Sequence, residues 1–222
     1  MSASRVARFF SPESIALVGA SERGMYPAGI LRNLQRYGFA GRIYPVNPGR
    51  ATVFDLPCYP NLSALPERPD LVVILIPRDA VPTVIDECLT LDLKAAIIIT
   101  AGFREGDAEG GVLEESIRRR VAGSDLAIIG PNCAGLANLT TGMVVTRLPA
   151  PPLAGDVAFV SASGALMMAL QGVFADVHLG LSRLVSVGNQ LDVGLIDVLE
   201  YLAEDPDTRA IGAFVEGLED GR

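Results

Sequence analysis

The sequence is poor in the residues that most often mark a metal or redox centre. Its 222 residues include one histidine, three cysteines and no tryptophan. Cys58, Cys88 and Cys133 are too widely spaced for a zinc ribbon and too few for a disulfide framework. The N-terminal "MSASRVARFF" also lacks the apolar segment of a secretory signal. These absences argue against a disulfide-rich secreted protein and a metal site, and they predict a cytoplasmic location.

An excess of positive charge is also missing. The chain has 18 Lys and Arg residues against 26 Asp and Glu residues, a net charge of -8. Nucleic acids and anionic membranes are bound through basic surfaces, so we expect neither as a partner. The long uncharged stretch at 157–175 contains Ser161, Ser163 and Gly164. These small residues favour a strand, a turn and a helix over a membrane span.

Short aliphatic runs alternate with helical patterns along the chain. Several runs are apolar throughout, which is typical of parallel strands covered on both faces. The pattern predicts an α/β fold, with a linker at 146–156 between a domain at 1–145 and a second one at 157–222. The predicted strands are 14–18, 42–46, 71–76, 95–100, 126–130, 157–160, 182–187 and 210–215.

Small or polar loops follow the first five predicted strands. Ligands of open parallel sheets bind beyond the carboxyl ends of the strands, so these loops indicate a binding site. In "SIALVGASERG" the dinucleotide fingerprint G-x-G-x-x-G is incomplete, because Gly19 is followed by Ala20 and Ser21, and the next glycine is Gly24. This pattern predicts a phosphorylated ligand at a helix N-terminus, with Ser21 able to bond a phosphate.

Six motifs follow one another along the chain from about Phe9: "SIALVGAS", "YPVNP", "ITAGF", "GPNCAGL", "VSASGAL" and "SVGNQLDVGLIDVLEYLAEDPDTRAIGAFVEG". In this order and spacing they resemble the motifs of the NDP-forming acyl-CoA synthetases. That family includes ADP-forming acetate–CoA ligases, the α subunit of succinyl-CoA synthetase and the CoA-binding portion of some protein lysine acetyltransferases. The resemblance implies a Rossmann-like CoA-binding domain followed by part of a flavodoxin-like parallel α/β domain.

The resemblance implies that coenzyme A is bound by the loops of the first domain. Two positions depart from the succinyl-CoA synthetase pattern: Arg50 stands where lysine is common, and Asp55 replaces a usual glycine. Cys133 has no nearby histidine or cysteine in the sequence, so a packed or pantetheine-lining thiol is favoured over a nucleophile. The implied CoA-binding residues are Gly19, Ala20, Ser21, Asn47, Pro48, Arg50, Ile76, Pro77, Thr100, Ala101, Gly102, Phe103, Asn132 and Cys133.

The second domain carries residues that match the phosphate chemistry of the family. Ser161, Ser163 and Gly164 stand at a predicted helix N-terminus, where free N–H groups and the helix dipole favour a phosphate. Glu216 matches the family glutamate that interacts with a phosphorylated histidine. The family reaction joins a small carboxylic acid to CoA at the expense of a nucleoside triphosphate, through an acyl phosphate and that phosphohistidine.

The phosphohistidine itself is expected to lie beyond Glu216, and the chain stops at Arg222. His178 is outside the matching position. We therefore expect this chain to bind CoA but to be inactive alone, with the nucleotide-binding ATP-grasp part supplied by another domain or chain.

Other functions stay open at this point. An NAD(P)-dependent oxidoreductase would share the first domain, but the incomplete glycine pattern and the lack of an acid–base constellation disfavour it. A non-catalytic CoA-sensing module, or the CoA-binding part of a protein lysine acetyltransferase, would account for the missing histidine.

Overall fold

The computed structural model describes residues 3–147 and 153–217, which form three sheets and six α-helices. The predicted linker at 146–156 falls partly on residues 148–152, which lie outside the described residues. Within the described ranges, no helix has the length and apolar character needed to cross a membrane.

The first large sheet is parallel throughout and has the strand order β2-β1-β5-β6-β7. This order reverses direction between β1 and β5, the place where open α/β sheets bind their ligands. The short strands β3 and β4 pair with each other in a separate hairpin. The strands are β1 (Ser14–Val18), β2 (Arg42–Val46), β3 (Thr52–Val53), β4 (Leu56–Pro57), β5 (Leu71–Ile74), β6 (Ala95–Ile98) and β7 (Ala127–Ile129).

The second large sheet is mixed, in the order β12-β10-β11-β8-β9. Strands β12, β10 and β11 are parallel to one another, whereas β8 and β9 form an antiparallel hairpin that joins the sheet through β11. The hairpin is an addition that the sequence analysis did not predict. The strands are β8 (Gly135–Asn138), β9 (Met143–Thr146), β10 (Ala154–Ser161), β11 (Leu181–Ser186) and β12 (Ala210–Phe214).

The helices begin where the sequence provides suitable caps. The Asp107 side chain accepts a hydrogen bond from the Gly110 N–H at 2.6 Å and begins α4. Ser163 does the same for α5 by accepting from the Leu166 N–H at 3.3 Å. The helices are α1 (Ala3–Ala7), α2 (Met25–Arg36), α3 (Val81–Thr90), α4 (Ala108–Val121), α5 (Gly164–Asp176) and α6 (Leu195–Ala203).

The predicted α/β class, with a Rossmann-like first sheet and parallel strands in the second, is confirmed. All eight predicted strands are present, and their ends differ by at most three residues, the largest difference being the start of β10 at Ala154. β12 lies at an edge of the second sheet. The domain boundary at 145 stays a prediction, although the β8–β9 hairpin pairs with strands beyond it.

One hydrophobic cluster runs through both large sheets. It includes Leu17 of the first sheet and Val160 and Val185 of the second. Helix α2 is fixed to β9 by a buried hydrogen bond of 2.7 Å from Asn33 Nδ2 to the Thr146 carbonyl. We call each large sheet with its helices a layer. Helix α2 belongs to the first layer and β9 to the second, so this contact packs the two layers together as one unit.

Candidate functional site

A cavity of about 750 Å³ lies between the carboxyl ends of β5, β6 and β7 and the N-terminus of α5. Its volume is in the range typical of small-molecule sites. It brings together residues from both parts of the chain that the sequence analysis named separately. Those that line it are Ile76, Thr100, Ala101, Asn132, Cys133, Ser163, Gly164 and Glu216.

The N-terminus of α5 forms one wall of this cavity. Gly164 is needed there because an added Cβ would lie 3.0 Å from the Ala134 Cβ, so a side chain would push the helix away from the loop after β7. Ser161 is fully buried and braces the turn: its Oγ donates to the Ser163 carbonyl at 2.7 Å. The N–H groups of the first turn of a helix have no intrahelical acceptor, so this wall carries partial positive charge.

The loops after β5, β6 and β7 are joined by hydrogen bonds. Thr100 Oγ1 donates to the Ile76 carbonyl at 2.8 Å, and the Asn132 N–H donates to the Thr100 carbonyl at 2.9 Å. Asn132 has a φ of 56°, a left-handed conformation that asparagine tolerates better than most residues. These bonds hold the Asn132 amide in a fixed position on the cavity wall.

Cys133 lines the same wall but is only 5% exposed. Burial raises the pKa of its thiol to about 12, and its Sγ lies 3.4 Å from the Ile98 carbonyl, to which it donates. The thiol therefore stays protonated at neutral pH and is a poor nucleophile. Within the described ranges, no cluster of histidine, cysteine and carboxylate side chains could hold a metal ion.

A polar network that the sequence analysis missed supports the loop after β7. Asn189 is nearly buried, and its Nδ2 donates to Glu105 Oε2 at 2.6 Å and to Glu114 Oε2 at 2.8 Å. Its Oδ1 accepts from Asn132 Nδ2 at 3.2 Å. Asn189 follows β11 of the second sheet. The network therefore connects the loop after β7, which forms part of the cavity wall, to the second sheet.

Two opposing effects set the pKa of Glu105. Burial alone would raise it, but hydrogen bonds from Asn189 and from the backbone N–H groups of Gly102 and Phe103 prevail and hold the pKa below its usual value. Those N–H groups lie 2.6 Å and 3.2 Å from Glu105 Oε1. The ionised carboxylate thus ties the loop after β6 to the second sheet.

The two loops after β1 and β2 lie outside the cavity. Gly19 has a φ of 91°, and an added Cβ would lie 2.4 Å from the Leu75 carbonyl oxygen, so only glycine fits. The N–H groups of Gly19 and Ala20 both donate to the Val46 carbonyl, at 2.9 Å and 3.3 Å. These two N–H groups are occupied by the backbone, and the Ser21 Oγ accepts a hydrogen bond from the Arg23 N–H at 3.0 Å.

Asn47 braces the two loops against each other. Its Nδ2 donates to the Ala20 carbonyl at 2.9 Å, and its Oδ1 accepts from the Gly49 N–H at 3.0 Å. Pro48 is exposed and Arg50 is half-buried in the same loop.

The remaining predicted residues occupy different environments. Phe103 is fully buried in the core of the first layer. Pro77 is exposed, and Gly102 has a φ of 94° beside the Arg78 side chain. His178 is exposed just after α5, a helix of 13 residues, and therefore lies about 20 Å from the end that forms the cavity wall.

Tyr26, Arg147 and Met168 also line the cavity. The sequence gives no signal for them, because Arg147 lies in the stretch interpreted as a linker, and Tyr26 and Met168 resemble ordinary helical residues. The Arg147 Cζ lies 5.8 Å from the centroid of the Tyr26 ring. Burial raises the pKa of Tyr26, and the charge of Arg147 partly offsets that effect.

Comparison with known protein families divides the chain into two parts. Residues 13–138 match the model of the CoA binding domain. Residues 154–222 match the model of the succinyl-CoA ligase like flavodoxin domain.

Similar proteins cover nearly the whole chain. An ADP-forming acetate–CoA ligase I of Archaeoglobus fulgidus is 37% identical over 97% of this chain and 31% of its own length. The α subunit of an ADP-forming acetate–CoA ligase I from Pyrococcus furiosus is 36% identical over 96% of this chain and 47% of its own length. The chain thus spans between about a third and a half of these relatives.

A related protein of known structure has the same fold over nearly the whole chain. The acetyl-coenzyme A synthetase 1 of Candidatus Korarchaeum cryptofilum, described as dinucleotide-forming and in complex with phosphate and ADP, is 40% identical. It superposes with a TM-score of 0.92 over 98% of this chain and 47% of its own.

Proposed function

Because this chain belongs to the CoA-binding-domain family of the NDP-forming acyl-CoA synthetases, we propose that it is the CoA-binding portion of an ADP-forming acid–CoA ligase. The observation that supports this most directly is the shared cavity. There, Asn132 and Cys133 of the first layer meet Ser163, Gly164 and Glu216 of the second. A thioester-forming reaction requires the CoA thiol and an acyl phosphate to meet at one place, and this cavity provides it.

Under this proposal the pantetheine arm of CoA lies along the loops after β5, β6 and β7. The arm contains amides and a thiol but no charge, which suits a wall made of Ile76, Thr100, Asn132 and the protonated Cys133 thiol. The amides can bond to the side chain of Asn132, while the apolar atoms contact Ile76.

The CoA phosphates would lie by the loops after β1 and β2. Since the N–H groups of Gly19 and Ala20 are occupied, the available groups are Ser21, the half-buried Arg50 and the start of α2. Gly24 caps α2 without a side-chain hydrogen bond, so N–H groups of its first turn are open to an anion.

The second layer would hold the phosphate of the acyl phosphate at the N-terminus of α5. The CoA sulfur attacks the acyl carbon, the bond from that carbon to the phosphate oxygen breaks, and the thiol proton leaves with the phosphate. The partial positive charge at Ser163 and Gly164 favours the departing anion. Forming that acyl phosphate from the acid, at the expense of a nucleoside triphosphate, would require an ATP-grasp part on another domain or chain.

Isothermal titration calorimetry with CoA and with NAD tests the proposal. We expect CoA to bind and NAD to bind much more weakly. Asn132→Ala should weaken CoA binding by about 1–3 kcal/mol, the cost of losing a buried hydrogen bond to a ligand. Asn61→Ala is the matched control, because Asn61 is exposed and remote from the cavity, and it should leave the affinity unchanged.

Two results would contradict the proposal. One is NAD binding as tight as that of CoA, which would favour the oxidoreductase alternative. The other is a lack of CoA binding at millimolar concentration in a sample whose circular dichroism shows it to be folded.

A further inference from the structure

Arg147 contributes a positive charge to the cavity wall next to α2. It follows β9 directly, and its stem packs over Gly29, where an added Cβ would lie 3.1 Å from the Arg147 Cγ. Its guanidinium lies over the Tyr26 ring, and Nη1 donates to Met25 Sδ at 3.1 Å. An aromatic face and a thioether orient the guanidinium but carry no net charge, so its charge is not neutralised by them.

No acidic side chain pairs with Arg147 in residues 3–147 and 153–217. In the same part of the chain, its buried Nε has no hydrogen-bond partner. Glu216 lines the same cavity but forms no ion pair with Arg147. A buried N–H group without an acceptor costs free energy.

We propose that Arg147 binds the oxyanion group of the acyl substrate, either the carboxylate of the free acid or the phosphate of its acyl phosphate. The inference rests on the proposed function, which supplies the acyl group, and it deepens that function by assigning a residue to the second substrate. A guanidinium can donate two parallel hydrogen bonds to a carboxylate or a phosphate, a geometry that an ammonium group lacks.

CoA does not account for this cation. The reactive end of CoA is an uncharged thiol on an uncharged arm, whereas its phosphates are proposed to bind at Ser21, Arg50 and the start of α2. An anion that shares the cavity with the thiol must therefore be carried by the other reactant. The apolar side chains of Met168 and Leu75 in the same wall suit the acyl group of that reactant. A loss of CoA affinity in Arg147→Gln would assign Arg147 to the CoA phosphates and overturn the inference.

The α5 N-terminus gives the anion a second contact. Ser163, Gly164 and Ala165 line the cavity together with Arg147. A substrate with one anionic group and a short apolar tail can face both positive features while its tail contacts the apolar side chains. This arrangement makes Arg147 a substrate-binding residue that does not contribute to CoA affinity.

The test is an NMR titration of the isotope-labelled 222-residue chain with acetyl phosphate, acetate and inorganic phosphate in separate samples. In the parent protein we expect acetyl phosphate to shift the resonances of Gly164 and Ala165. Arg147→Gln should weaken this binding by roughly 10- to 100-fold, the range for a lost charge-assisted hydrogen bond. Arg147→Lys should keep part of it, because the charge stays and the two-bonded geometry is lost.

Two controls accompany these variants. Arg119→Gln removes an arginine whose side chain is 78% exposed on α4, outside the cavity, and it should leave the titration unchanged. CoA affinity, measured in parallel, should be the same in Arg147→Gln and the parent protein. This measurement of CoA affinity separates the two proposals. If the parent protein binds acetyl phosphate through Arg147 and fails to bind CoA, only the proposed function is overturned.

The three ligands separate the two sources of the oxyanion. A loss of acetate and acetyl phosphate binding with phosphate unaffected assigns Arg147 to the carboxyl end. A loss of phosphate and acetyl phosphate binding with acetate unaffected assigns it to the phosphoryl group. Equal binding of all three ligands to the parent protein and to Arg147→Gln, or no binding of any of them to the parent protein, overturns the inference.

Discussion

The thiol of Cys133 illustrates how burial sets the chemistry of a single residue. With a pKa of about 12, roughly one Cys133 in ten thousand is a thiolate at pH 8. We predict that iodoacetamide modifies Cys133 far more slowly than Cys58, which is only half-buried. Peptide mass spectrometry after timed alkylation measures both rates in one sample, and urea-unfolded protein provides the control in which all three cysteines react. Equal rates in the folded protein would mean that the cavity wall opens readily.

Glu105 gives the protein a pH dependence of known sign. Hydrogen bonds hold its folded pKa below the usual value, so the folded state binds this proton less tightly than the unfolded state. The resulting stability is present above the unfolded pKa of about 4.3 and is lost as the pH falls through the folded pKa. We predict that Glu105→Gln lowers the free energy of unfolding at pH 7 and that the difference from the parent protein shrinks below about pH 4.

Urea unfolding at pH 7 and at pH 3 measures this difference. Glu109→Gln is the control, because the Glu109 side chain is 93% exposed, and its difference from the parent protein should be small at both values. A Glu105→Gln penalty that is the same at pH 3 and pH 7 would show that the side-chain shape matters and its charge does not.

Several site residues could be predicted from the sequence because they lie in loops with an unmistakable local pattern. Thr100, Asn132 and Ser163 each lie one to three residues after an apolar run, and all three reach the cavity wall. Arg147 could not be predicted, because its importance depends on the packing of β9 against α2, a contact between distant parts of the chain. The roles of the predicted residues as ligands of CoA stay predictions until binding is measured.

Among the elements, β11 is fixed to its surroundings by a buried arginine. Arg183 Nη2 donates to Asp205 Oδ1 at 3.1 Å and to Asp207 Oδ2 at 2.9 Å, in the loop between α6 and β12. Its Nη1 donates to Thr140 Oγ1 at 3.3 Å, in the turn between β8 and β9. One side chain therefore connects three elements of the second sheet.

We predict that Arg183→Ala lowers the free energy of unfolding by about 3–5 kcal/mol, because it leaves the buried Asp205 carboxylate without its partner. Arg183→Met combined with Asp205→Leu should recover much of the loss, since the uncompensated charge is then gone. Urea denaturation monitored by circular dichroism measures each variant. Arg119→Ala removes an exposed ion pair as the control, with an expected change within about 0.5 kcal/mol. A loss below about 1 kcal/mol for Arg183→Ala would mean that Asp205 is readily rehydrated.

The sequence pattern predicts elements well where they are long and apolar, and poorly where they are short. Helix α5 begins at the N-terminus predicted for it, because the Ser163 cap precedes the run ALMMALQ. Strand β8 has the sequence GLAN, without a β-branched or aromatic residue, so no strand was predicted. It is a strand because the antiparallel pairing with β11 and β9 satisfies its backbone. Such long-range pairing is invisible in a local pattern.

At the scale of the whole molecule, the sequence predicts the strands of both large sheets but does not show how the two sheets pack together. The apolar strands predict two layers, each with its own order of strands. The continuous core through Leu17, Val160 and Val185 follows from the packing of α2 on β9, which depends on the unpredicted hairpin. The family resemblance is confirmed by the matches at 13–138 and 154–222.

The β8–β9 hairpin limits where parts can be exchanged between members of this family. The family match of the first part ends at residue 138, the last residue of β8, whereas β8 pairs with β11 in the second part. A chimera joined at that position would combine one parent's β8 with the other parent's β9 and β11. The part that can be exchanged as a unit therefore does not end where the first family match ends, at residue 138. A recombination point before residue 135 would transfer the hairpin together with the sheet that it completes.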